Sequence, residues 1–395
     1  MFTGVNQLCA RCSSPLNLPR VAWVMSARHT RAGRFWVNGS VTRRQLLRQI
    51  ALGAGGVALL ACAPRSALSG GGVVRLTGAG STFVYPLFSK LFDEYQKMNP
   101  QVRVNYQSVG SGAGIRQLLE RTVDFGATDA PMTDEQLREA PGPIVHLPVT
   151  LGAVVVVFNL SGLTTLRLDG PTLAGLFLGE IGRWNDPRLQ ALNPDVALPN
   201  QPVAVVHRSD GSGTTYIFTA YLSAVSAAWR QRVGVGTAVA WPVGLGAKGN
   251  EGVAGQVRQT PGAVGYVELT YASQNNLPMA TLRNRAGAWV EPRLPAITAA
   301  AASLAQIPED LRFLLVDMPG AEAYPLVGVT WVLLYQEAAD PVKGRALAEL
   351  FWWVLHEGQR YAAPLQYAPL PPGLVERGAA KLRQLTHRGQ PLLSR

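Results

Sequence analysis

Three loops in this chain combine Gly with Ser or Thr between a β-branched run and an amphipathic stretch, and these are residue types suited to holding an anion. The first, Leu76-Thr77-Gly78-Ala79-Gly80-Ser81-Thr82-Phe83, leads into Val84, Leu87, Phe88, Leu91, Phe92 and Tyr95, spaced along one helical face with Pro86 in the first turn. The second, Val109-Gly110-Ser111-Gly112-Ala113-Gly114, leads into Ile115, Leu118 and Leu119. The third, His207-Arg208-Ser209-Asp210-Gly211-Ser212-Gly213-Thr214-Thr215, leads into Ile217, Phe218, Tyr221 and Leu222. Each loop therefore delivers a helix N-terminus, with unpaired N–H groups and the positive end of the helix dipole. Gly lets backbone approach a ligand closely, and the hydroxyls add donors. Ordinary N-capping accounts for any one loop alone. Three in one chain, the last with Arg208 and Asp210 beside its hydroxyls, point to an anion cage.

Other chemistries fit these residues less well. Gly78-Ala79-Gly80 opens like a dinucleotide fingerprint, but Phe83 stands where the third Gly belongs. No Lys precedes the Thr pair of the third loop, which argues against a nucleotide-hydrolysing phosphate loop. No Gly-x-Ser-x-Gly elbow surrounds Ser111 or Ser212, and His146, His207, His356 and His387 are scattered, so no nucleophile with an activating base is evident. Phe351-Trp352-Trp353 sits at helical spacing and reads as core. No cofactor or metal is implied.

The elements that must position the loops alternate from Val73 onward between short β-branched runs and longer amphipathic stretches, the pattern of βα units and a parallel sheet. Val102-Arg103-Val104-Asn105-Tyr106 alternates with period two, while Val154 to Phe158 is continuously apolar, as in a strand buried on both faces. The segments around Pro141-Gly142-Pro143 and from Pro364 to Pro372 read as loops.

At 395 residues and 47% hydrophobic content the chain is long enough for two ordinary domains. Its formal charge of +11 is unevenly spread. The residues before Cys62 contain eight Arg, no Lys and no acidic residue, which leaves 28 basic residues against 25 acidic. A body so nearly balanced, with no basic stripe, lacks the footprint of a nucleic-acid binder. Arg43 and Arg44 followed by the apolar, Gly-rich run Ile50–Ala61 form instead a leader, residues 1–61. That run is shorter than the roughly 20 apolar residues of a membrane span. Leu59-Leu60-Ala61-Cys62 resembles a bacterial lipobox, which makes Cys62 the expected lipid site. Thr42-Arg43-Arg44-Gln45-Leu46-Leu47 resembles a twin-arginine export signal, and an ordinary basic n-region fits the same residues as well. Cys9 and Cys12 are at best half of a zinc site, and a start at Met25 would give a leader of more usual length.

The stretches GAGSTF (78–83), VGSGAG (109–114), VDFGATDAP (123–131), GRWNDP (182–187), HRSDGSGTT (207–215), KGNEGVA (248–254), PGAVGYVE (261–268) and YPLVGVTWVLL (324–334) occur in one order. In these the chain resembles the phosphate-binding proteins of bacterial phosphate-specific ABC transporters, from about Leu76 to about Gln384. The resemblance implies a two-lobed α/β periplasmic-binding-protein fold of type II, each lobe a mainly parallel sheet flanked by helices. The first lobe would comprise residues 72–152 and 267–391 and the second 153–266, with ligand at the interface and closure by hinge motion. It implies a phosphate cage of Thr82, Phe83, Ser111, Asp129, Arg208, Ser212, Gly213 and Thr214, with Phe83 acting through its backbone N–H. Asp210 would steady Arg208 or cap the following helix. It also implies an exported, lipid-anchored monomer that is not an enzyme and that serves an ABC permease driven by a cytoplasmic ATPase. Asp129 separates the candidate anions: a carboxylate repels a bound anion unless that anion has a proton to donate, as phosphate does and sulfate and molybdate do not. The competing readings are a sulfate or molybdate carrier and an extracellular enzyme acting on phosphoesters.

Overall fold

The computed structural model describes residues 72–393, so Cys9, Cys12, Met25, Arg43, Arg44 and Cys62 lie outside the described residues. The main sheet runs in the order Val102–Ser108, Val74–Gly80, Phe125–Thr128, Leu326–Tyr335, Ile144–Phe158, Ala263–Glu268, Ala204–Arg208, Leu245–Ala247, with Leu315–Val316 added beside Leu326–Tyr335. Pairing is parallel toward both ends, as βα units require, and antiparallel around the two central strands.

The apolar run Val154–Phe158 is the second part of a much longer strand, Ile144–Phe158, buried along nearly its whole length. From Ile144 to Ala153 it pairs with Leu326–Tyr335, and from Val154 to Phe158 with Ala263–Glu268. One continuous strand thus belongs to both halves of the molecule, and it changes partner at Ala153/Val154. The short strand Thr281–Arg283 pairs with Arg167–Leu168 and with Trp289–Val290, so this part of the chain stays attached to elements of the second half beyond residue 267.

The helices bury the residues that the sequence periodicity selects. Tyr85–Met98 buries Leu87, Phe88, Leu91, Phe92 and Tyr95, with Pro86 in its first turn. Each such side chain withdrawn from water contributes about 1.5–3 kcal/mol. Ser111–Leu119 buries Ile115 and Leu118, and Gly213–Val225 buries Ile217, Phe218, Tyr221 and Leu222. Within Pro341–Leu355, Phe351 packs on Phe125 and Trp353 on Tyr95, which places both in the core. The edge strand Val102–Ser108 alternates in burial, matching its period-two pattern. Pro364 sits in a 3-10 turn, Ala363–Leu365, and Pro372 starts a helix, so only part of this Pro-rich segment is loop. Among the described residues no helix is long and apolar enough to cross a membrane.

Glu268 ends the strand that pairs with Val154–Phe158, is fully buried, and caps the Leu269–Gln274 helix by accepting from Thr270 N–H at 2.9 Å. The Thr270 hydroxyl lies 2.7 Å from Leu365 O and 3.2 Å from Glu268 Oε1. The Tyr367 hydroxyl lies 2.6 Å from Phe83 O and 3.1 Å from Glu268 Oε2. Each hydroxyl divides its single proton between the nearer carbonyl and the Glu268 carboxyl, so neither compensates an ionised carboxylate fully. Burial pushes Glu268 up to about 8, against hydrogen bonds from Thr270 and Tyr367 that act the other way. The folded value exceeds the ordinary 4.5, so the stability from neutral Glu268 is complete below that pH and is lost as pH rises to about 8. Glu268→Gln should keep the fold and flatten the fall in thermal midpoint between about pH 5 and about pH 9. A variant whose midpoint falls as steeply as the parent's would show that Glu268 is ionised in the folded state.

Candidate functional site

The second and third Gly-rich loops touch backbone to backbone. Gly112 N–H donates to Gly211 O at 2.9 Å, and a Cβ on Gly110, whose φ is +93°, would lie 2.4 Å from Asp210 Oδ2 and 2.7 Å from Gly211 O. No side chain fits there, and the positive φ favours glycine independently. Gly213 is equally confined, because a Cβ would lie 2.5 Å from Ser111 Oγ and 2.6 Å from Asp129 Oδ2. The first turn of Gly213–Val225 therefore faces Ser111, the first residue of the Ser111–Leu119 helix, and Asp129, just beyond the strand Phe125–Thr128.

Asp129 is buried and surrounded by hydroxyls. Ser81 Oγ donates to Oδ2 at 2.6 Å and Thr330 Oγ1 to Oδ1 at 2.7 Å, with Ser111 Oγ a longer contact to Oδ2 at 3.4 Å. An ionised carboxylate has about four lone-pair sites, so acceptor capacity remains after these contacts. Burial pushes Asp129 up to about 6, while Ser81, Thr330 and the Arg208 charge pull it back. At neutral pH it is ionised and able to accept a proton-bearing ligand oxygen.

Arg208 ends the strand Ala204–Arg208 and is also buried. Its Nε and Nη2 meet Asp210 Oδ1 and Oδ2 at 2.8 and 2.5 Å, a two-point contact that fixes the guanidinium plane. Nη1 reaches Thr214 Oγ1 at 3.3 Å. Asp210 also accepts from Gly249 N–H at 3.1 Å. Burial alone would raise the Asp210 carboxyl, but hydrogen bonding and charge from Arg208 outweigh it and hold the carboxyl below the usual range. The helix cap is Ser212, whose Oγ accepts from Thr215 N–H at 3.1 Å and keeps its own proton free to donate. The Gly213 and Thr214 amides, in the first helical turn, have no intrahelical acceptor.

Thr82 and Phe83 come from the first loop. Thr82 Oγ1 meets Asn250 Nδ2 at 2.7 Å and Thr82 O accepts from the Tyr271 hydroxyl at 2.7 Å. The Phe83 ring lies in the core edge-on to Tyr367, and its N–H donates to Ser81 Oγ at 3.0 Å. The structure thus brings Ser111, Asp129, Gly213, Thr214 and Arg208 into one connected cluster, with Thr82 joined to it through Asn250. Ser212 sits beside Gly213 as the cap, and Phe83 adjoins Ser81.

Sequence reasoning passed over three members of this cluster. Ser81 adjoins Thr82 in a loop already singled out, so its hydroxyl was visible there. Asn250 lies in KGNEGVA at the start of the Gly249–Gln259 helix, where only a nearby Thr gives it meaning. Thr330 lies inside a buried strand and carries no local signal. Among the described residues no group of His, Cys, Asp and Glu is placed to hold a metal ion.

A family model described as the PBP superfamily domain matches residues 65–357. The phosphate-binding protein PstS of Xylella fastidiosa (strain 9a5c) is 42% identical over 306 residues, covering 77% of this chain and 83% of that protein. Two solved structures share the fold at low identity. A periplasmic phosphate-binding protein, PfluDING, bound with phosphate, has a TM-score of 0.63 at 20% identity and covers 81% of this chain and all of its own. A phosphate ABC transporter substrate-binding protein with bound phosphate from Clostridium perfringens, itself described as putative, has a TM-score of 0.56 at 15% identity over 75% of this chain. The fold is thus the two-lobed α/β fold of periplasmic binding proteins, and identity of 42% over 77% of the chain places it in the PstS family of phosphate-binding proteins.

Proposed function

We propose that this protein captures inorganic phosphate outside the cytoplasmic membrane and delivers it to an ABC permease, acting as a solute-binding component and not as an enzyme. The observation that carries this reading is Asp129, a buried acceptor with spare capacity set among donors: the Ser212 hydroxyl, the first-turn amides of Gly213–Val225, and the Arg208 guanidinium. Donors bind the ionised oxygens of phosphate, and Asp129 takes the proton that phosphate retains near neutral pH. The proposed phosphate contacts are Thr82, Phe83, Ser111, Asp129, Arg208, Ser212, Gly213 and Thr214, with Asp210 holding Arg208 in place.

The proposed lobes are residues 72–152 with 267–391, and 153–266, with the strand Thr281–Arg283 paired to Arg167–Leu168 and so packed with the second lobe. The partner change of the shared strand at Ala153/Val154 supports the first crossing. The protein works as an exported monomer, and the lipid on Cys62 keeps it beside the permease and its cytoplasmic ATPase. Deleting the gene should abolish phosphate uptake at low external phosphate, and Cys62→Ala should move the protein from the membrane to the soluble fraction. Undiminished uptake in the deletion strain would refute the transport role, and an unchanged membrane fraction would refute the anchor.

Gly213→Ala should weaken phosphate binding by about tenfold or more, because the added methyl meets Ser111 Oγ at 2.5 Å and Asp129 Cβ at 2.7 Å. The clash falls where the second and third loops meet, so the thermal midpoint of the ligand-free protein should change little. Parent-like affinity in this variant would show that the two loops do not close against each other around the ligand.

A further inference from the structure

We propose that Asn250 is a positioning residue that fixes the Thr82 and Thr214 hydroxyls as hydrogen-bond donors toward the bound anion. The inference rests on the phosphate-capture reading and deepens it. Asn250 is fully buried in the first turn of the Gly249–Gln259 helix. Its Oδ1 accepts from Glu268 N–H at 2.9 Å. A backbone N–H can only donate, so the amide oxygen must face Glu268 and the amide nitrogen must face the other way. There Nδ2 meets Thr82 Oγ1 at 2.7 Å and Thr214 Oγ1 at 3.2 Å, giving one proton to each.

Both threonine oxygens are then fully used as acceptors. Thr214 Oγ1 also receives Arg208 Nη1 at 3.3 Å, and a guanidinium cannot accept. Thr82 Oγ1 also receives the Asn250 backbone N–H at 3.4 Å. With both lone pairs occupied, each hydroxyl has only its proton left to offer. A freely rotating hydroxyl could accept from a protonated ligand or donate to an ionised one. These two cannot make that choice, so the ligand proton is turned away from them and toward the Asp129 carboxylate, the charged acceptor of the site. Asn250 also joins the first loop to the third, and through Glu268 it joins both to the end of the strand that pairs with Val154–Phe158.

The test is calorimetric titration of inorganic phosphate into the parent, Asn250→Ala, Thr214→Val and the double variant, with thermal midpoints measured alongside. Asn250→Ala should lose about tenfold or more in affinity, the scale of a lost hydrogen bond to a charged group. If Asn250 acts through Thr214, the double variant should lose far less than the product of the two single losses. Asn250→Asp keeps the acceptor for Glu268 N–H and serves if the alanine variant does not fold. Relative to the parent at the same pH, which corrects for titration of Asp129, it should bind weakly at neutral pH and recover in part on acidification, when its protonated carboxyl donates to one of the two hydroxyls. Independent losses in the double variant, parent-like affinity in Asn250→Ala, or parent-like affinity of Asn250→Asp across the pH range would each overturn the proposal. Failure of the parent itself to bind phosphate would instead refute the reading on which it rests.

Discussion

Asp129→Asn is expected to collapse the preference for phosphate over sulfate by at least about 100-fold, the scale on which sites built around a specific buried hydrogen bond reject a ligand that cannot make it. In the parent, a sulfate oxygen placed against the Asp129 carboxylate would find no proton to share and a like charge at contact distance. The Asn amide removes the charge and can turn its NH2 toward the ligand, so sulfate gains a donor while phosphate loses its acceptor. Ser81 and Thr330 donate to different Asp129 oxygens, at 2.6 and 2.7 Å, so in the variant one keeps an amide oxygen as acceptor while the other turns its hydroxyl to accept from the NH2, and the variant should fold. The same logic gives a pH dependence. Burial pushes Asp129 up to about 6, so its ionised form, and the selectivity with it, is present above that pH and declines below it as the carboxyl becomes a donor. Competition between the two anions, measured from about pH 5 to about pH 8, should show selectivity rising with pH in the parent and flat in the variant. Undiminished selectivity in Asp129→Asn would place the discriminating contact elsewhere.

Removing Arg208 should cost still more in phosphate affinity, about 100- to 1,000-fold, because it deletes a buried charge and strands its partner. Asp210 now takes both Arg208 contacts and Gly249 N–H, and without the guanidinium it would present an uncompensated carboxylate beside the anion site. Arg208→Ala/Asp210→Asn should therefore bind phosphate more tightly than Arg208→Ala alone. Isothermal titration of both variants decides this. A double variant weaker than the single one would mean that Asp210 contributes something other than holding and neutralising Arg208.

The loops and their helices were legible because the information is local. Gly with Ser or Thr at the head of a 3.6-residue apolar period names a helix N-terminus, and Leu87, Phe88, Leu91 and Phe92 are buried where that period puts them. Arg208 and Asp210 are two residues apart, so their pairing could be considered from spacing alone. The hydroxyls around Asp129 were not legible in this way. Thr330 is 201 residues away and reaches Asp129 because its strand pairs antiparallel with Phe125–Thr128 on one side and with Ile144–Phe158 on the other. No periodicity encodes that antiparallel insertion between two strands from elsewhere in the chain. Asn250 was hidden for a related reason, since its meaning lies in Thr82, Thr214 and Glu268, each brought to it from a different segment. The long strand Ile144–Phe158 was seen only in its Val154–Phe158 part, where no polar residue interrupts the apolar run. Its earlier part contains His146, Pro148 and Thr150 and loses the pattern, though it is buried along its pairing with Leu326–Tyr335.

The most direct test of phosphate capture is calorimetric titration of the purified protein, stripped of bound ligand, with phosphate, sulfate and molybdate in turn at neutral pH. Tight one-to-one binding of phosphate with no measurable heat from the other two is the predicted result. Equal binding of sulfate, or no binding of any of the three, would contradict it.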